Sequence, residues 1–414
     1  MTDPRIALHV LIDGRHAAGV DGYRRRVRLL YDADPGPVPL SLSMPTAKRR
    51  WPHAAIHPWV SALLPDDERT LARWRQQFQV LDHDPMALLP HIGEDVAGAA
   101  QFVREDRLEA VLDRPGDIIH LSKDQVGRLL EAARTAGPFP EPARGRFSLA
   151  GAQAKIALRR QDDGWALPDG AEPSTHVLKL PVPGLADQLL AEAMTTRAAS
   201  RLGLATVTVE LADIAGQPVI VVERYDRRLV DGAWRRVHQE DLVQAAGGDP
   251  RRKYEDQGGP GVAACAALLR RHAGDAAVEG FAQAVMFNHL VQGTDAHARN
   301  YSVLLPADAP PALAPLYDLN AGLPHGPGFA QHAAMAVGGE FRFAAVGPLQ
   351  WRGFAHDCGL DHDWVVARLR RLAADLPDAL SEAGRAVDMP PDSAPWVGAF
   401  VVAAAAWCRT AAPK

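Results

Sequence analysis

The chain has 414 residues, and its 45 Lys and Arg against 50 Asp and Glu give a net charge of −5 at pH 7. Hydrophobic residues make up 47% and charged residues 23%, the balance of a globular protein with a sizeable buried core. These values exclude a disordered chain, a fibrous repeat and a basic protein that coats DNA.

Cysteine usage and the N-terminal sequence indicate a reducing compartment. Cys265, Cys358 and Cys408 lie far apart with no CxxC pair, so neither a disulfide scaffold nor a zinc ribbon is expected. The first residues lack the basic and apolar segments of a signal peptide. The most apolar stretch, residues 397–407, is short and rich in alanine, which predicts a packed helix and no membrane span. We therefore expect a cytoplasmic protein without membrane association.

The first hundred residues predict a separate module. Strands are expected over residues 8–12 and 23–31, with a turn signal after the first. Residues 66–80 carry apolar side chains at spacings of three and four, which predicts a helix.

The following segment predicts alternating strands and helices. Ser122 and Gln125 form a capping box, which predicts the start of a helix, and a second helix is expected over 187–202. Short strands are predicted over residues 154–160, 177–180, 207–211 and 219–225. The chain after Asp226 is predicted to be mostly helical, and its last three helices are expected near 364–371, 376–386 and 396–405.

These elements predict an α+β fold in three parts. A small N-terminal module with strands occupies residues 1–105, a mixed lobe occupies 106–226 and a mostly helical lobe occupies 227–414. The proline-rich segment 137–142 lies in the middle part and stiffens the chain there.

The segment 293–302, GTDAHARNYS, is the most informative in the sequence. Asp295 is followed five residues later by Asn300, which is the spacing of a protein-kinase catalytic loop. In such a loop the carboxylate accepts or orients the substrate hydroxyl, and the amide oxygen reaches a magnesium ion. Taken alone, the pair is more typical of a polar loop with a turn at Asn300.

Two further charged residues have positions that suit phosphate chemistry. Asp318 follows an apolar run, where kinases place the aspartate that holds magnesium, although such residues also end ordinary strands. Lys179 lies within an apolar strand, so it must extend to solvent or meet an anion. A kinase uses such a lysine to hold phosphates, with a helix glutamate as its counter-charge, and Glu192 is the candidate.

Two weaker signals complete the pattern. Small residues at 150–152 would let backbone N–H groups approach a phosphate, and residues 223–225, at the end of a predicted strand, have the charged and aromatic character of a hinge facing adenine. A plain loop and a solvated strand end would look the same. The order of phosphate loop, strand lysine, helix glutamate, hinge, Asp-x4-Asn and later aspartate is the order of a two-lobed protein-kinase-like fold. Phosphoryl transfer is therefore the favoured chemistry.

The sequence resembles the HipA family of bacterial toxin kinases. The similarity runs from the first residues to near the C-terminus and is carried by a specific set of motifs. These motifs are PLSLSMP from Pro39, SLAGAQAK from Ser148, THVLKLP from Thr175, VERYDR from Val222, QED from Gln239, GGPG from Gly258, TDAHARN from Thr294 and YD at Tyr317.

The resemblance implies an ATP- and Mg²⁺-dependent serine/threonine kinase with specific residue roles. Asp295 would be the catalytic aspartate, Asn300 and Asp318 the metal ligands, and Ser148 the site of an inactivating autophosphorylation. The implied ATP-binding residues are Ala150, Gly151, Ala152, Gln153, Ala154, Lys155, Lys179, Glu223, Arg224, Tyr225, His297, Arg299, Asn300, Tyr317 and Asp318.

The resemblance also implies partners. The protein would be the toxin of a toxin–antitoxin pair, bound by a HipB-like helix-turn-helix antitoxin that carries the DNA contact, so that DNA is met only indirectly. Its substrate would be a protein of translation, such as an aminoacyl-tRNA synthetase.

Two other functions remain open from the sequence. One is an ATP-binding partner without catalysis that acts as a co-repressor with a DNA-binding antitoxin, although all three catalytic positions are filled. The other is a metal hydrolase using His289, Asp295 and His297, although the chain has no HExxH or comparable ligand spacing.

Overall fold

The computed structural model describes residues 6–23, 26–113, 115–135, 137, 139–140, 150–151, 153–162, 164–185, 187–326 and 328–412. Among these residues, none of the helices has both the length and the apolar character that a membrane crossing requires.

The N-terminal module is built on a five-stranded antiparallel sheet with the order β4-β3-β2-β1-β5. The strands are β1 (Ile6–Ile12), β2 (Arg15–Gly22), β3 (Arg28–Tyr31), β4 (Arg50–Trp51) and β5 (Ala100–Val103). The helices here and just after it are α1 (His53–Ser61), α2 (Glu68–Gln77), α3 (Leu89–Ile92) and α4 (Leu108–Leu112). Alternate residues of β1 pack with Trp59 and Phe102 into a core of their own.

The middle region is a six-stranded antiparallel sheet with the order β10-β11-β9-β7-β8-β6. The strands are β6 (Asp117–Leu121), β7 (Lys155–Gln161), β8 (Gly164–Asp169), β9 (His176–Lys179), β10 (Val209–Ile214) and β11 (Gln217–Glu223). The helices are α5 (Lys123–Arg134), with the predicted capping box at Ser122, and α6 (Gln188–Arg201). Val126, Leu129 and Leu130 of α5 pack onto the sheet.

The C-terminal region is mainly helical, with short strands inserted. Its helices are α7 (Leu242–Ala245), α8 (Val262–Ala273), α9 (Asp275–Val291), α10 (Pro348–Cys358), α11 (His362–Ala383) and α12 (Ala394–Ala411). Its strands are β12 (Arg227–Val230), β13 (Ala233–Arg236), β14 (His238–Asp241), β15 (Ser302–Leu305), β16 (Ala312–Leu313), β17 (His332–Val337) and β18 (Glu340–Arg342). Most of α9 is buried, so this helix forms the centre of the largest hydrophobic core.

Three predicted elements were wrong in extent. Of the described residues in the strand expected over 23–31, those that form a strand are β3, and β2, which the sequence did not predict, is its hydrogen-bonded neighbour. The two helices expected over 364–371 and 376–386 are the single helix α11, which continues through Pro377. Leu372, Leu376 and Leu380 are buried against the core, and this packing offsets the hydrogen bond that proline removes.

A buried charge network joins the N-terminal module to the rest of the chain. Arg227 donates to Asp95 Oδ1 at 2.9 Å and to the carbonyl of Gly98 at 2.9 Å, while the Gly98 amide donates to Asp226 Oδ2 at 2.6 Å. Gly98 has a φ of 80°, and a Cβ there would lie 2.9 Å from the Gln239 backbone, so glycine permits this close approach. The network holds the N-terminal module beside the cleft whose wall includes Arg224 and Asp226.

Candidate active site

A cleft of about 360 Å³ lies between the six-stranded sheet and the helical region, and Asp295 lies on its wall. Ala154 does not line it, and its carbonyl instead accepts from the Leu180 amide at 3.0 Å. Ser148 and Ala152 lie outside the described residues. The other predicted ATP-binding residues line the cleft: Ala150, Gly151, Gln153, Lys155, Lys179, Glu223, Arg224, Tyr225, His297, Arg299, Asn300, Tyr317 and Asp318.

Lys179 forms the central ion pairs of the cleft. It ends β9, and its Nζ donates to Glu192 Oε1 on α6 at 2.6 Å and to Asp318 Oδ1 at 3.0 Å. Burial lowers the pKa of Lys179, but the two carboxylates outweigh burial and raise it above its usual value. Burial raises the pKa of Asp318, but Lys179 and Lys155 outweigh it and hold the pKa at about 2. The predicted pairing of Lys179 with Glu192 is confirmed.

The small-residue loop adds a second lysine to the same end of the cleft. Gly151 has a φ of 99°, and a Cβ there would lie 2.8 Å from Lys155 Nζ, so glycine admits this ammonium group. Lys155 Nζ donates to the Ala150 carbonyl at 2.5 Å. Burial, followed by repulsion from Lys179, lowers the pKa of Lys155 to about 8. The two lysines place two ammonium groups, which can donate hydrogen bonds to phosphate oxygens, at this end of the cleft.

Helix α9 delivers the predicted catalytic loop to the cleft. The helix ends at Val291, and Gln292 adopts a left-handed conformation with a φ of 53°, which turns the chain into the loop. Asn300 Nδ2 donates to the Asp295 carbonyl at 2.6 Å, which closes the loop and leaves both side chains on the cleft wall. The hydroxyl of Tyr254 donates to Asp295 Oδ1.

His297, one of the predicted ATP-binding residues, is almost fully buried at the wall of the cleft. Its ring meets the Tyr254 ring edge-on with centroids 5.0 Å apart, and its Nε2 lies 3.6 Å from Asp295 Oδ1. Burial lowers the pKa of His297 to about 4, so its ring is neutral at pH 7. The ring therefore packs beside Asp295 and Tyr254 as a neutral group.

Arg299 faces the N-terminal module. Its guanidinium donates to Asp66 Oδ1 at 2.8 Å, to the Ala62 carbonyl at 3.0 Å and to Asp241 Oδ2 at 3.4 Å. Lys253 Nζ donates to the other Asp66 oxygen at 3.3 Å. One carboxylate from a different part of the chain thus contacts two cations of the cleft.

The hinge side of the cleft carries stacked tyrosines. The Tyr225 and Tyr317 rings lie 5.5 Å apart at 21°, and the Tyr225 hydroxyl donates to Gln239 Oε1 at 2.9 Å. The Arg224 guanidinium instead turns away and donates twice to Asp226, at 2.9 and 2.8 Å. Arg224 therefore contributes its charge to the network that docks the N-terminal module.

Asn300 and Asp318 fit a magnesium ion. Carboxylate and amide oxygens are the ligands that this hard cation prefers. Asn300 Nδ2 is committed to the loop, which leaves its Oδ1 as the atom for a cation. Asp318 has a φ of 56°, which is rare outside glycine and is typical of functional positions.

Three residues of the site were not predicted. Asp66, Lys253 and Tyr254 lie on loops far from Asp295 in sequence, and each contacts the catalytic loop or its neighbours. The GGPG motif at 258–261 lies just downstream of Lys253 and Tyr254, and Gly261 leaves room for Glu255. No sequence pattern indicated Asp66 or Tyr254.

The structure contradicts the metal-hydrolase alternative. His289 lies in α9 among Phe343, Trp351 and Trp407, buried in the core. In the part of the chain that the structure describes, His289, Asp295 and His297 do not form a cluster that could hold a metal ion.

Comparison with known proteins identifies the family. The family model for the HipA-like C-terminal domain matches residues 147–380, and that for the HipA N-terminal domain matches residues 8–103. The chain therefore belongs to the HipA family of toxin kinases and has its two-lobed, protein-kinase-like fold.

Individual relatives agree with this assignment. The chain is 35% identical to "Putative kinase Y4mE" of Sinorhizobium fredii over 84% of this chain and 83% of that protein. It is 30% identical to the serine/threonine-protein kinase toxin HipA of Shewanella oneidensis over 72% and 70% of the two chains. It also superposes on HipA in the solved complex of Shewanella oneidensis HipA, HipB and operator DNA, with a TM-score of 0.83, 24% identity and coverage of 97% and 96%.

Proposed function

We propose that this protein is an ATP- and Mg²⁺-dependent serine/threonine protein kinase and the toxin of a toxin–antitoxin pair. The observation that carries the proposal is the bridge from Lys179 to Glu192 and Asp318, which faces Asp295 and Asn300 across one cleft. This is the arrangement in which a kinase holds phosphates, metal and acceptor hydroxyl together.

The proposed reaction assigns one task to each group. Asp295 takes the proton of the acceptor hydroxyl while the hydroxyl oxygen forms a bond to the γ-phosphorus and the bond to ADP breaks. Asn300 and Asp318 hold Mg²⁺, which neutralises phosphate charge when bound. Lys179 and Lys155 bind phosphates.

The adenine side of the cleft is proposed to use the hinge. Glu223 is the last residue of β11 and Tyr225 lies just beyond it, and Tyr225 with Tyr317 supplies aromatic surface for a purine. The remaining lining residues, including Gln153 and Arg299, shape the phosphate end.

The partners follow from the family. We assign a HipB-like helix-turn-helix antitoxin as the binding partner, because the superposed HipA comes from a complex with HipB and operator DNA. DNA is met through that partner, which agrees with a net charge of −5. The substrate is a serine or threonine of a translation protein such as an aminoacyl-tRNA synthetase, and the cytoplasm is the compartment that this target requires.

Autophosphorylation at Ser148 is proposed to switch the enzyme off. A phosphate would add about −1.5 to −2 charges to a loop that serves to bind another phosphate. Purified protein, first treated with phosphatase and confirmed unmodified by intact mass, should acquire one phosphate on Ser148 with ATP and Mg²⁺ and then lose activity. Ser148→Ala should keep its activity for longer.

The second candidate function, a co-repressor that binds ATP without catalysis, gives a different result in that experiment. It predicts ATP binding with no phosphate on any residue or on added substrate.

Inactivation of Ser148→Ala at the wild-type rate would contradict the autoinactivation proposal and leave the kinase proposal intact.

A further inference from the structure

Two histidines and an aspartate converge on the surface of the N-terminal module, outside the cleft. His53 and His57 lie four residues apart on α1, so their rings share one face, with centroids 4.7 Å apart. Asp84 approaches from the loop before the 3₁₀ turn Pro85–Ala87, with its Oδ1 3.2 Å from His57 Nε2. One ligand atom from each of the three lies within 4.8 Å of the others.

The two segments that carry this His53–His57–Asp84 cluster rest on one core. Ile56 and Trp59 of α1 pack in the same hydrophobic cluster as Met86, which follows Asp84. The Met86 amide donates to Asp84 Oδ1 at 2.9 Å, and the Asp84 amide donates to Asp82 Oδ1 at 3.0 Å. Backbone hydrogen bonds and buried side chains therefore hold the three ligands in position.

We propose that the His53–His57–Asp84 cluster binds a divalent transition-metal ion of the zinc class. Two imidazoles and a carboxylate are a three-residue ligand set typical of Zn²⁺, with water as the fourth ligand. The separation of 3.2 Å between His57 Nε2 and Asp84 Oδ1 matches the edge of a zinc tetrahedron, about 3.3 Å for bonds near 2.0 Å.

The surroundings suit such an ion. The His57 and Asp84 side chains remain 30% and 16% exposed, which leaves room for entry and for a water ligand.

A metal ion here would restrict the motion of the segment that follows α1 and reaches the cleft. Helix α1 ends at Ser61, and the next residues include Ala62 and Asp66, which contact Arg299. The ion would link α1 to the loop at Asp84 and so stiffen the base of that segment. The expected consequence is stabilisation of the N-terminal module, and this does not depend on the proposed kinase activity.

The test is metal binding by untagged full-length protein stripped with a chelator. Zn²⁺ is titrated by calorimetry and Co²⁺ by visible absorption, with thermal unfolding measured in parallel. The variants are His57→Ala and Asp84→Asn, the second of which preserves side-chain volume. The matched control is His16→Ala, which removes a histidine of the same module that bonds to His9 at 2.8 Å and Asp32 at 2.6 Å.

The proposal expects one equivalent of Zn²⁺, Co²⁺ absorption bands of a tetrahedral site, and a rise in melting temperature of about 2 °C or more at saturating Zn²⁺. Affinity should fall at least about tenfold in His57→Ala and Asp84→Asn, since each loses a ligand, and should be unchanged in His16→Ala. Absence of stoichiometric binding, or equal affinity in the wild type and both ligand variants, would overturn it.

Discussion

Asp66 of the N-terminal module accepts a hydrogen bond from Arg299 of the catalytic loop, with 2.8 Å between Oδ1 and Nη1. The same residue reaches the phosphate loop, because its amide donates to the Gly151 carbonyl at 3.3 Å. Lys253 completes the contact at the second carboxylate oxygen. The N-terminal module is therefore part of the active-site structure.

Replacing Asp66 with Asn should slow phosphoryl transfer while leaving the fold intact. The loss of charge-assisted hydrogen bonds to Arg299 and Lys253 should cost about 1.5–3 kcal/mol, or about 10- to 100-fold in kcat/KM. Asp67→Asn is the matched control, because Asp67 caps α2 and asparagine caps equally well. Equal rates for Asp66→Asn and Asp67→Asn would show that the contact has no role in catalysis.

Tyr254→Phe should lower kcat and leave the KM for ATP unchanged. The hydroxyl donates to Asp295 Oδ1, which directs the other carboxylate oxygen to the acceptor, and our assignment gives this hydroxyl no part in binding the phosphates. Loss of this bond should reduce kcat about tenfold. Steady-state kinetics would be compared with Tyr23→Phe, which alters an exposed tyrosine. An increase in the KM for ATP at constant kcat would contradict the assigned role.

The buried pair of Lys179 and Glu192 should show strong coupling in urea unfolding. Lys179→Met leaves the buried Glu192 carboxylate without its cation, at a cost of about 3–5 kcal/mol in the free energy of unfolding. Adding Glu192→Gln to Lys179→Met should recover most of that loss. The single variant Lys179→Met and the double variant should both be inactive.

An exposed ion pair supplies the control for this cycle. Arg134 and Glu131 pair at 2.6 Å on α5, and removing both should change stability by less than about 1 kcal/mol. Strictly additive losses in the Lys179 and Glu192 variants would mean that the buried pair is not coupled.

Glu240 should make stability depend on pH. Its oxygens accept from the Leu42 amide at 2.7 Å and Trp59 Nε1 at 3.0 Å, and burial raises its pKa to about 7. Between its usual pKa of 4.5 and about 7, the folded chain holds a proton that the unfolded chain releases. The stabilisation from this proton is complete below that window and is lost as pH rises through it.

The measurement is the difference in free energy of unfolding between the wild type and Glu240→Gln. As pH rises from 4.5 to about 7, the wild type should lose stability relative to Glu240→Gln by about 1.4 kcal/mol per pH unit. The exposed Glu109, changed to Gln, should give no such shift. A pH-independent difference for Glu240→Gln would show that the carboxyl is ionised throughout.

The sequence predicted the parts of the site that lie on regular elements or in a motif of fixed spacing. Lys179 and Glu192 lie on a strand and the following helix, so their pairing follows from local order along the chain. Asp66 and Arg299 are 233 residues apart, and only the packing of the N-terminal module brings them together. His297 and Arg224 line the cleft as predicted, but their burial and their contacts with Tyr254 and Asp226 could not be read from the sequence.

The central claim is phosphoryl transfer at Asp295, and the most direct measurement compares Asp295→Asn with the matched surface variant Asp308→Asn. Both would be incubated with radiolabelled ATP and Mg²⁺, beside wild type, after dephosphorylation, with label transfer to protein followed over time. The account predicts a loss of at least about 100-fold in Asp295→Asn and a wild-type rate in Asp308→Asn, because a general base contributes about that factor or more. Transfer at the wild-type rate in Asp295→Asn would contradict it.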